Sequence, residues 1–257
     1  MRFDGKVAFV TGSSGIGLAT ALRLAREGAR VRLVGIDPAA NRAAQQAAKG
    51  LEITVHEADV SNDAEVSALV ARIMALEPGI DLLINAAGIQ TYGTLETTTI
   101  ADWDKVMAVN LRAAFLTSHF VFPHMKGRGG GSIVHVSSVQ GHANQYGVLA
   151  YATTKGAVHA MTRAMAVDAA KHGVRVNSVS PGSIRTPLLE YGATQLAKDG
   201  QSMEDVIRAF GAGHPAGRVG TMEEVAALIA FLCSEEAGFC TGGDYLVDGG
   251  LMAVLGV

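Results

Sequence analysis

Tyr151 and Lys155 are four positions apart, in a segment that begins with Ser137 and Ser138 and reads SSVQGHANQYGVLAYATTK. Residues at positions i and i+4 lie on one face of a helix, so the phenol and the ammonium would be neighbours. A phenol with a pKa near 10 is a poor base at neutral pH, but a fixed cation favours its phenolate form. The spacing therefore indicates an acid–base pair, provided that the rest of the chain builds a site around it.

The elements that would position this pair alternate along the chain. Short β-branched runs predict seven strands: Val7–Thr11, Arg30–Ile36, Ile53–Glu57, Leu82–Asn85, Ser132–Ser137, Arg175–Ser180 and Tyr245–Val247. Ala- and Leu-rich stretches between them predict helices over Ile16–Glu27, Ala39–Lys49, Asp63–Leu76, Ala101–Met125, Leu149–His172 and Met222–Ser234. Apolar strands joined through helices predict one α/β domain over residues 1–257, with a Rossmann-like, doubly wound, parallel seven-stranded sheet and helices on both faces.

One long stretch, Pro187–Arg218, has no strong pattern apart from a weak helical spacing over Met203–Phe210. Long irregular segments inside a compact domain usually serve as lids or binding loops. We therefore expect residues 187–218 to form a substrate-binding region.

Composition excludes several classes of function. The net charge of −3 favours neither nucleic acid nor an anionic membrane as a partner. Two cysteines, Cys233 and Cys240, are too few for a disulfide framework and fit a reducing compartment. Neither has a ligand neighbour at metal-binding spacing, so no metal site is expected. The N-terminus has no signal-peptide pattern, and no window approaches the 18 or so continuous apolar residues of a membrane span, so we expect a cytoplasmic protein.

A glycine loop, TGSSGIG, follows the first predicted strand and opens directly into a helix. Its glycines are Gly12, Gly15 and Gly17, a spacing that differs from the common GxGxxG pattern. Glycines let a pyrophosphate approach a helix N-terminus, where free N–H groups favour anions. The loop, including Ser14 and Ile16, is therefore predicted to bind a dinucleotide.

Asp37 ends the second predicted strand, about twenty residues beyond the glycine loop. A carboxylate at that position can accept hydrogen bonds from a ribose diol and would repel a 2′-phosphate. It could equally cap the next helix, with Pro38 in the first turn, and the two roles can coexist. No Lys or Arg lies within Ser13–Gly17, and the next basic residue after Asp37 is Arg42. These features favour NAD over NADP.

Two further strand ends are expected at the same edge of the sheet. Asp59 and Val60 follow the third strand, where an adenine edge could lie, although Asp59 could instead cap a helix. Asn85, Ala86 and Gly88 belong to the sequence NAAG at the end of the fourth strand, where small residues allow close approach of a cofactor.

Several motifs then occur in a characteristic order: TGSSGIG, NAAG, Asn110, the serine pair, YATTK, PGSIRT from Pro181, and VDGG at Val247–Gly250. Together they resemble the short-chain dehydrogenase/reductase family over almost the whole chain. The resemblance implies an NAD(P)-dependent oxidoreductase acting on a secondary alcohol or ketone.

The resemblance also implies roles for individual residues. Tyr151 would be the general acid/base, and Lys155 would bind the nicotinamide ribose and lower the tyrosine pKa by roughly two to three units. Ser138, thirteen residues before Tyr151, would polarise the substrate oxygen, with Ser137 as a packing partner. Asn110 would hold a water of a proton relay.

The PGSIRT motif would contact the nicotinamide. In the family pattern Pro181 and Gly182 end a strand, and Ile184 and Thr186 meet the nicotinamide amide. On these residues alone, a plain turn before a loop would explain the sequence equally well.

The candidate substrate wall carries several polar side chains, among them Gln140, His142 and Asn144. A site that hydrogen-bonds hydroxyl groups discriminates in favour of sugars and polyols. A solvated surface loop would have a similar composition.

Two other functions are compatible with the fold. The first is a 3-oxoacyl thioester (acyl carrier protein) reductase using NADPH, against which Asp37 and the absence of basic residues in the glycine loop argue. The second is a non-catalytic cofactor-binding regulator, for which a broken catalytic tetrad would be expected, although Asn110, Ser138, Tyr151 and Lys155 are all present.

The resemblance also implies an oligomer. In relatives with the apolar ending Leu251–Val257, this ending packs near a neighbouring subunit, and the helices that correspond to 101–125 and 149–172 form the main dimer contact. We therefore expect a homotetramer.

Overall fold

The computed structural model describes residues 1–198 and 200–255. Seven strands form a single sheet: β1 (Val7–Thr11), β2 (Arg30–Gly35), β3 (Ile53–Glu57), β4 (Leu82–Asn85), β5 (Gly131–Val136), β6 (Val174–Pro181) and β7 (Asp244–Val247). Their order is β3-β2-β1-β4-β5-β6-β7, and every neighbouring pair is parallel. The predicted doubly wound parallel sheet is confirmed.

Helices cover both faces of this sheet, as predicted. They are α1 (Gly15–Arg26), α2 (Pro38–Ala47), α3 (Asp63–Met74), α4 (Ile100–Met107), α5 (Ala113–Gly127), α6 (Leu149–Ala170), α7 (Pro187–Leu196), α8 (Met203–Ala212) and α9 (Met222–Cys233).

Strand alternation divides the core between the two faces. Ala8 and Val10 of β1 face the cluster that includes Leu24 of α1 and Ile229 of α9. Val7 and Phe9 face the opposite cluster, which is built largely from α3, α5 and α6. The chain reverses its direction of travel across the sheet between β1 and β4, which opens a crevice at the carboxyl ends of the strands. Loops at that edge are where ligands bind in such sheets.

The helix predicted over Ala101–Met125 is interrupted. A π-helical segment, Ala108–Arg112, separates α4 from α5, and Asn110 lies at its centre. Such widened turns insert one extra residue and occur frequently at functional sites. Their local geometry depends on tertiary contacts, so hydrophobic spacing alone did not reveal the interruption.

This combined helix, Ile100–Gly127, is long and apolar enough to cross a membrane as judged by length and composition alone. In the fold, 44% of its apolar window is buried. Leu116, Val121 and Met125 belong to the core cluster beneath α3 and α6, so the segment packs as an internal helix.

The prediction of an irregular region over Pro187–Arg218 was wrong for its first part. Residues Pro187–Leu196 form α7, and Met203–Ala212 form α8, in agreement with the weak helical spacing noted there. Thr186 caps α7 through a hydrogen bond from the Leu189 N–H (3.1 Å), and Pro187 occupies the first turn. Pro at this position favours a helix start, a local signal that the polar composition obscured.

Candidate active site

A cleft of about 500 Å³ opens at the carboxyl ends of β1, β4, β5 and β6. Most of the predicted site residues line it: Ser14, Gly15, Ile16, Ala86, Gly88, Ser138, Gln140, Asn144, Tyr151, Lys155, Pro181, Gly182, Ile184 and Thr186. These residues come from loops far apart in sequence, and the parallel sheet brings them together because all its strands end at the same edge.

Tyr151 is buried in the first turn of α6. Burial raises the pKa of its phenol to about 12, the neighbouring Ser138 hydroxyl acts in the opposite direction, and Tyr92 adds a further increase. The predicted lowering of this pKa is therefore absent in the protein without cofactor, because removal of the phenolate from water dominates.

Lys155 lies one turn further along α6, with its ammonium 5.3 Å from the centroid of the Tyr151 ring. Its Nζ donates a hydrogen bond to the Val136 carbonyl at 2.9 Å. Burial lowers the pKa of this lysine to about 8. The i, i+4 spacing thus places both groups in the cleft, where burial keeps the phenol neutral and makes the ammonium easier to deprotonate than an ordinary lysine.

Asn110 is buried, and both ends of its amide are engaged. Its Oδ1 accepts from the Ile89 N–H (2.8 Å), and its Nδ2 donates to the Ile89 carbonyl (2.9 Å) and to Thr154 Oγ1 (3.2 Å). The side chain therefore joins the loop after β4 to α6 beside Lys155. Asn110 thus lies at the centre of the π-helical distortion, and its role in a proton relay stays a prediction.

The two serines after β5 have different surroundings. Ser137 Oγ donates to the Lys155 carbonyl at 3.0 Å and lies 2.8 Å from His159 Nε2. Ser138 Oγ accepts from the Gln140 N–H at 3.1 Å and sits beside the Tyr151 phenol. This difference supports Ser138 as the residue that meets the substrate and Ser137 as its packing partner.

The glycine loop is shaped to accept a phosphate group. Gly12 has a φ of +93°, and a Cβ on Gly17 would lie 2.1 Å from the Gly12 carbonyl oxygen, so no larger residue fits there. Ser14 precedes α1 without making a side-chain cap, and the first turn of α1 holds no acidic residue. The first N–H groups of α1 are thus left for an anion in the adjoining cleft, and the loop fits a dinucleotide.

The acidic residues predicted to contact adenosine lie at the ends of β2 and β3. Asp37 is exposed and caps α2, accepting from the Ala40 N–H at 2.7 Å. Asp59 Oδ1 accepts from the Ser61 N–H (2.8 Å) and hydroxyl (2.7 Å), and Val60 is buried. The capping alternative is therefore present for Asp37, but it was wrong for Asp59, because Asn62 caps α3 and Asp59 forms a local turn with Ser61. The ribose and adenine contacts stay predictions.

Asn85 points its side chain away from the cleft. Its Oδ1 accepts from Thr117 Oγ1 at 2.6 Å, and its Nδ2 lies 3.3 Å from Ser118 Oγ and 3.1 Å from His135 Nδ1. Burial, and then Lys155, lower the pKa of His135 to about 4, which keeps that imidazole neutral. Asn85 thus ties β4 to α5, and only its backbone is left to approach a ligand.

The expectation that His142 belongs to the substrate wall was wrong for this geometry. Its Nε2 donates to Asp244 Oδ2 at 2.7 Å, and its ring stacks on His159, outside the residues that line the cleft. A short 3₁₀ turn, Val139–Gly141, ends at His142, whose side chain reaches Asp244 on β7, whereas Gln140 and Asn144 line the cleft.

Several lining residues were not predicted: Gln90 and Tyr92 after β4, and Leu251 and Met252 near the chain end. Leu188, Leu189 and Gly192 of α7 and Phe210 of α8 also line the cleft, and they lie within the predicted substrate-binding region 187–218. Gln145 lines it beside Asn144, in the predicted polar wall. Tyr92 could have been considered from its position four residues beyond Gly88, in the loop that follows β4. The α7 residues depended on recognising that helix.

Comparison with known proteins agrees with this architecture. A family model described as enoyl-(acyl carrier protein) reductase matches residues 10–252. Acetoacetyl-CoA reductase of Cupriavidus necator is 37% identical, over 96% of this chain and 98% of the relative. L-fucose dehydrogenase of Mus musculus is 38% identical, over 97% of this chain and 89% of the relative.

Solved structures are equally similar. Aldohexose dehydrogenase of Thermoplasma acidophilum superposes with a TM-score of 0.91 at 35% identity, covering 99% of this chain and 97% of the other. Levodione reductase superposes with a TM-score of 0.94 at 35% identity, covering 99% and 100%.

The sheet, the cleft and these relatives define an oxidoreductase of alcohols and ketones that binds a nicotinamide cofactor. The chain belongs to the short-chain dehydrogenase/reductase family, as its motifs predicted.

Proposed function

We propose that this protein transfers a hydride between NAD and a secondary alcohol or ketone of a sugar, a polyol or a similar hydroxylated small molecule. The observation that carries this proposal is the polar wall beside Tyr151. Gln140, Asn144 and Gln145 line the cleft on one side and Tyr92 lines it as well. Asn144 and Gln145 are exposed, but Gln140 Oε1 is buried and has no hydrogen-bond partner within the described part of the chain, so a substrate hydroxyl would satisfy it and a bare substrate would not.

The nicotinamide cofactor supplies the hydride acceptor or donor. Around it, Ser138 orients the substrate oxygen by a hydrogen bond, and Tyr151 takes the hydroxyl proton at its Oη during oxidation or returns it during reduction. Lys155 holds positive charge beside the phenol. Asn110 holds the loop after β4 against α6. We also assign to Asn110 the binding of a water molecule through which protons pass to solvent.

NAD is preferred over NADP in this proposal because of Asp37. Its carboxylate is exposed at the end of β2, where it would repel a 2′-phosphate while capping α2. No basic residue lies in the glycine loop to offset that repulsion.

Thioester reduction with NADPH is the second candidate. It is favoured by the relative named acetoacetyl-CoA reductase and by a second hollow of about 390 Å³ that shares Gln140 and Asn144 with the cleft. The rim of this hollow carries the exposed side chains of Leu95 and Tyr146, which could hold a longer apolar substrate. Asp37 opposes this candidate.

The assembly and location that accompany the proposal are a homotetramer in the cytoplasm. Exposed apolar side chains on α5 and α6, Phe115 and Val167, mark the surface proposed for subunit contact. Gly256 and Val257, the last part of the predicted C-terminal contact, lie outside the described residues.

Absorbance at 340 nm tests the proposal directly. Purified protein would be mixed with NAD or NADP and with aldoses, polyols, 3-hydroxyacyl thioesters and simple cyclic alcohols at pH 7 to 10. NAD-dependent turnover of an aldose or polyol is expected. Turnover confined to NADPH and a 3-oxoacyl thioester would replace the first candidate by the second.

A further inference from the structure

A second cluster of ionisable groups lies behind the cleft, at the β7 edge of the sheet. Asp244 of β7 accepts hydrogen bonds from His142 Nε2 (2.7 Å), Ser178 Oγ (2.6 Å) and Ser180 Oγ (2.8 Å). His159 Nε2 lies 3.5 Å from the same carboxylate, and its ring stacks on His142 with centroids 4.3 Å apart. None of these five side chains lines the cleft.

The carboxylate is ionised and well satisfied. Burial acts to raise the pKa of Asp244, but the hydrogen bonds from Ser178, His142 and Ser180 outweigh it and leave the pKa below its usual value. The Asp244 side chain is only 14% exposed, so the loss of a donor would leave a largely buried charge under-solvated.

The hydrogen-bond pattern determines the imidazole protons. The Ser180 hydroxyl donates its proton to Asp244, and the Ser137 hydroxyl donates its proton to the Lys155 carbonyl. His159 Nε2 is therefore the donor in its hydrogen bonds to both serine oxygens. His142 Nε2 likewise donates to the carboxylate, which only accepts. Although the three ligand-type atoms lie within 4.8 Å of one another, both nitrogens carry protons and the rings are stacked. With these protons in place the cluster forms a hydrogen-bonded assembly.

This assembly connects the segments that build the cleft. His142 belongs to the turn that carries Gln140 and Asn144 into the cleft. His159 lies one turn beyond Lys155 on α6 and pairs with Ser137, the neighbour of Ser138. Ser180 directly precedes Pro181 of the proposed nicotinamide loop. One carboxylate thus contacts the turn, the helix and the strand end from which the site is assembled.

We propose that Asp244 is a positioning residue that, through His142, fixes the turn 139–147 and so holds the wall of Gln140 and Asn144 in place. It touches neither substrate nor cofactor. The turn 139–147 contains Gly141 and ends at Gly147, and the His142 side chain that secures it is 38% exposed. This inference rests on the proposed function, because that function assigns the wall of Gln140 and Asn144 to substrate binding.

The test uses His142→Ala, which removes the donor, and His142→Gln, whose amide can donate to the same carboxylate. Asp63→Asn serves as a control because this carboxylate is 67% exposed on α3, away from the cleft. Amide hydrogen exchange of residues 139–147 is measured first, since it requires no known substrate. We expect exchange in this segment to accelerate by roughly tenfold in His142→Ala, the order expected for one lost hydrogen bond to a charged group.

The kinetic measurement follows with any alcohol that the enzyme oxidises. His142→Ala should raise the KM for the alcohol by roughly tenfold, leave the KM for the cofactor within about twofold, and leave kcat little changed. His142→Gln should restore both the exchange rate and the KM, and Asp63→Asn should match the wild type. A general loss of structure would instead change both KM values and would not be rescued by Gln.

Three outcomes would overturn the proposal. Unchanged exchange in His142→Ala would show that the turn is held by other contacts. Equal changes in the KM for alcohol and for cofactor would indicate a merely structural role. Zinc binding at micromolar concentration that is lost in His142→Ala would identify a metal site in place of the hydrogen-bonded assembly. If no alcohol is turned over, the exchange data still decide the positioning role while the proposed function fails.

Discussion

The Lys155 ammonium lies 5.3 Å from the centroid of the Tyr151 ring but gives a hydrogen bond to the Val136 carbonyl, not to the phenol. Burial raises the pKa of Tyr151 to about 12 and lowers that of Lys155 to about 8. In the free protein the two groups are therefore neighbours without being an ion pair. In the proposed mechanism, the phenolate would form only when a positively charged cofactor enters the cleft, because burial alone disfavours it.

Replacement of Tyr151 by Phe should abolish turnover while leaving cofactor binding intact. General acid–base groups typically contribute 10²- to 10⁴-fold, so we expect kcat to fall at least about 100-fold. The kcat would be measured at 340 nm and NADH binding by fluorescence. Tyr245→Phe, a change of the same kind outside the cleft, should leave both unchanged. Retention of more than about a tenth of wild-type kcat in Tyr151→Phe would exclude Tyr151 as the acid/base.

Replacement of Lys155 by Met should stabilise the fold near neutral pH while it removes activity. Lys155 has a pKa of about 8 in the folded protein, whereas an ordinary lysine side chain has a pKa of 10.5. Between these two pH values, the unfolded chain therefore keeps a proton on Lys155 that the folded protein has released. The contribution of Lys155 to wild-type stability therefore rises with pH from 8 towards 10, by an amount on the order of 3 kcal/mol. The variant also loses the hydrogen bond from Lys155 to the Val136 carbonyl, which reduces its gain in stability by about 1 kcal/mol.

Urea unfolding from pH 7 to 9.5 checks this prediction. This window lies below the pH range in which Tyr151 would reverse the trend, since its raised pKa lowers stability only above about pH 10. The advantage of Lys155→Met should shrink steadily with pH. Lys49→Met, at an exposed position after α2, should show a constant difference from wild type. A pH-independent difference for Lys155→Met would contradict the lowered lysine pKa.

Two substitutions separate the two roles of Asp37, which are cofactor selection and capping of α2. Asp37→Asn keeps a side-chain acceptor for the Ala40 N–H but removes the charge, whereas Asp37→Ala removes both. Each should lower the ratio of kcat/KM for NAD to that for NADP by roughly tenfold or more. Only Asp37→Ala should also lose about 1 kcal/mol of unfolding free energy. An unchanged ratio in both variants would remove Asp37 from cofactor selection.

Tyr92 is expected to select for hydroxylated substrates. Burial, and then Tyr191, raise the pKa of its phenol, so the hydroxyl stays a neutral donor at assay pH. Tyr92→Phe should lower kcat/KM for an aldose or polyol by about tenfold and leave a monohydroxy alcohol such as cyclohexanol unaffected. An equal effect on both substrates would indicate a packing role.

Gly192 offers an independent test of the same contact. A Cβ there would lie 2.4 Å from the Tyr92 hydroxyl, so Gly192→Ala must displace that ring. The kinetic change should resemble that of Tyr92→Phe, even though Gly→Ala inside a helix otherwise stabilises by about 0.5–1 kcal/mol. Gly127→Ala, at the end of α5 where a Cβ would meet open space, is the matched control.

The exposed apolar face of α5 and α6 predicts subunit contact. Phe115 is 48% exposed and Val167 is 79% exposed in the single chain. Sedimentation should give about four times the chain mass of 26.6 kDa, and Phe115→Asp with Val167→Asp should dissociate the assembly. Leu76→Asp, an equally exposed site after α3, should leave it intact. A monomer at micromolar concentration would refute the predicted tetramer.

Much of the architecture was predictable because its signals are local. Apolar runs and helical spacing located all seven strands to within one residue at either end. The glycine loop and the Tyr151–Lys155 spacing likewise depend on neighbours within a few residues. Helix α7 was missed because its start signal, Thr186 followed by Pro187, stands in a polar and otherwise patternless stretch.

By itself, the amino-acid sequence determined the fold class, the family and the chemical types present at the strand ends, since periodicity and motif order are properties of the chain. Only the tertiary structure decided that Asn85 turns inward, that His142 faces Asp244, and that Tyr92 meets Gly192 a hundred residues away. It also decided the pKa of Tyr151, which depends on how completely water is excluded from the cleft. Side-chain direction and burial arise from contacts between distant segments, and no local pattern in the chain encodes them.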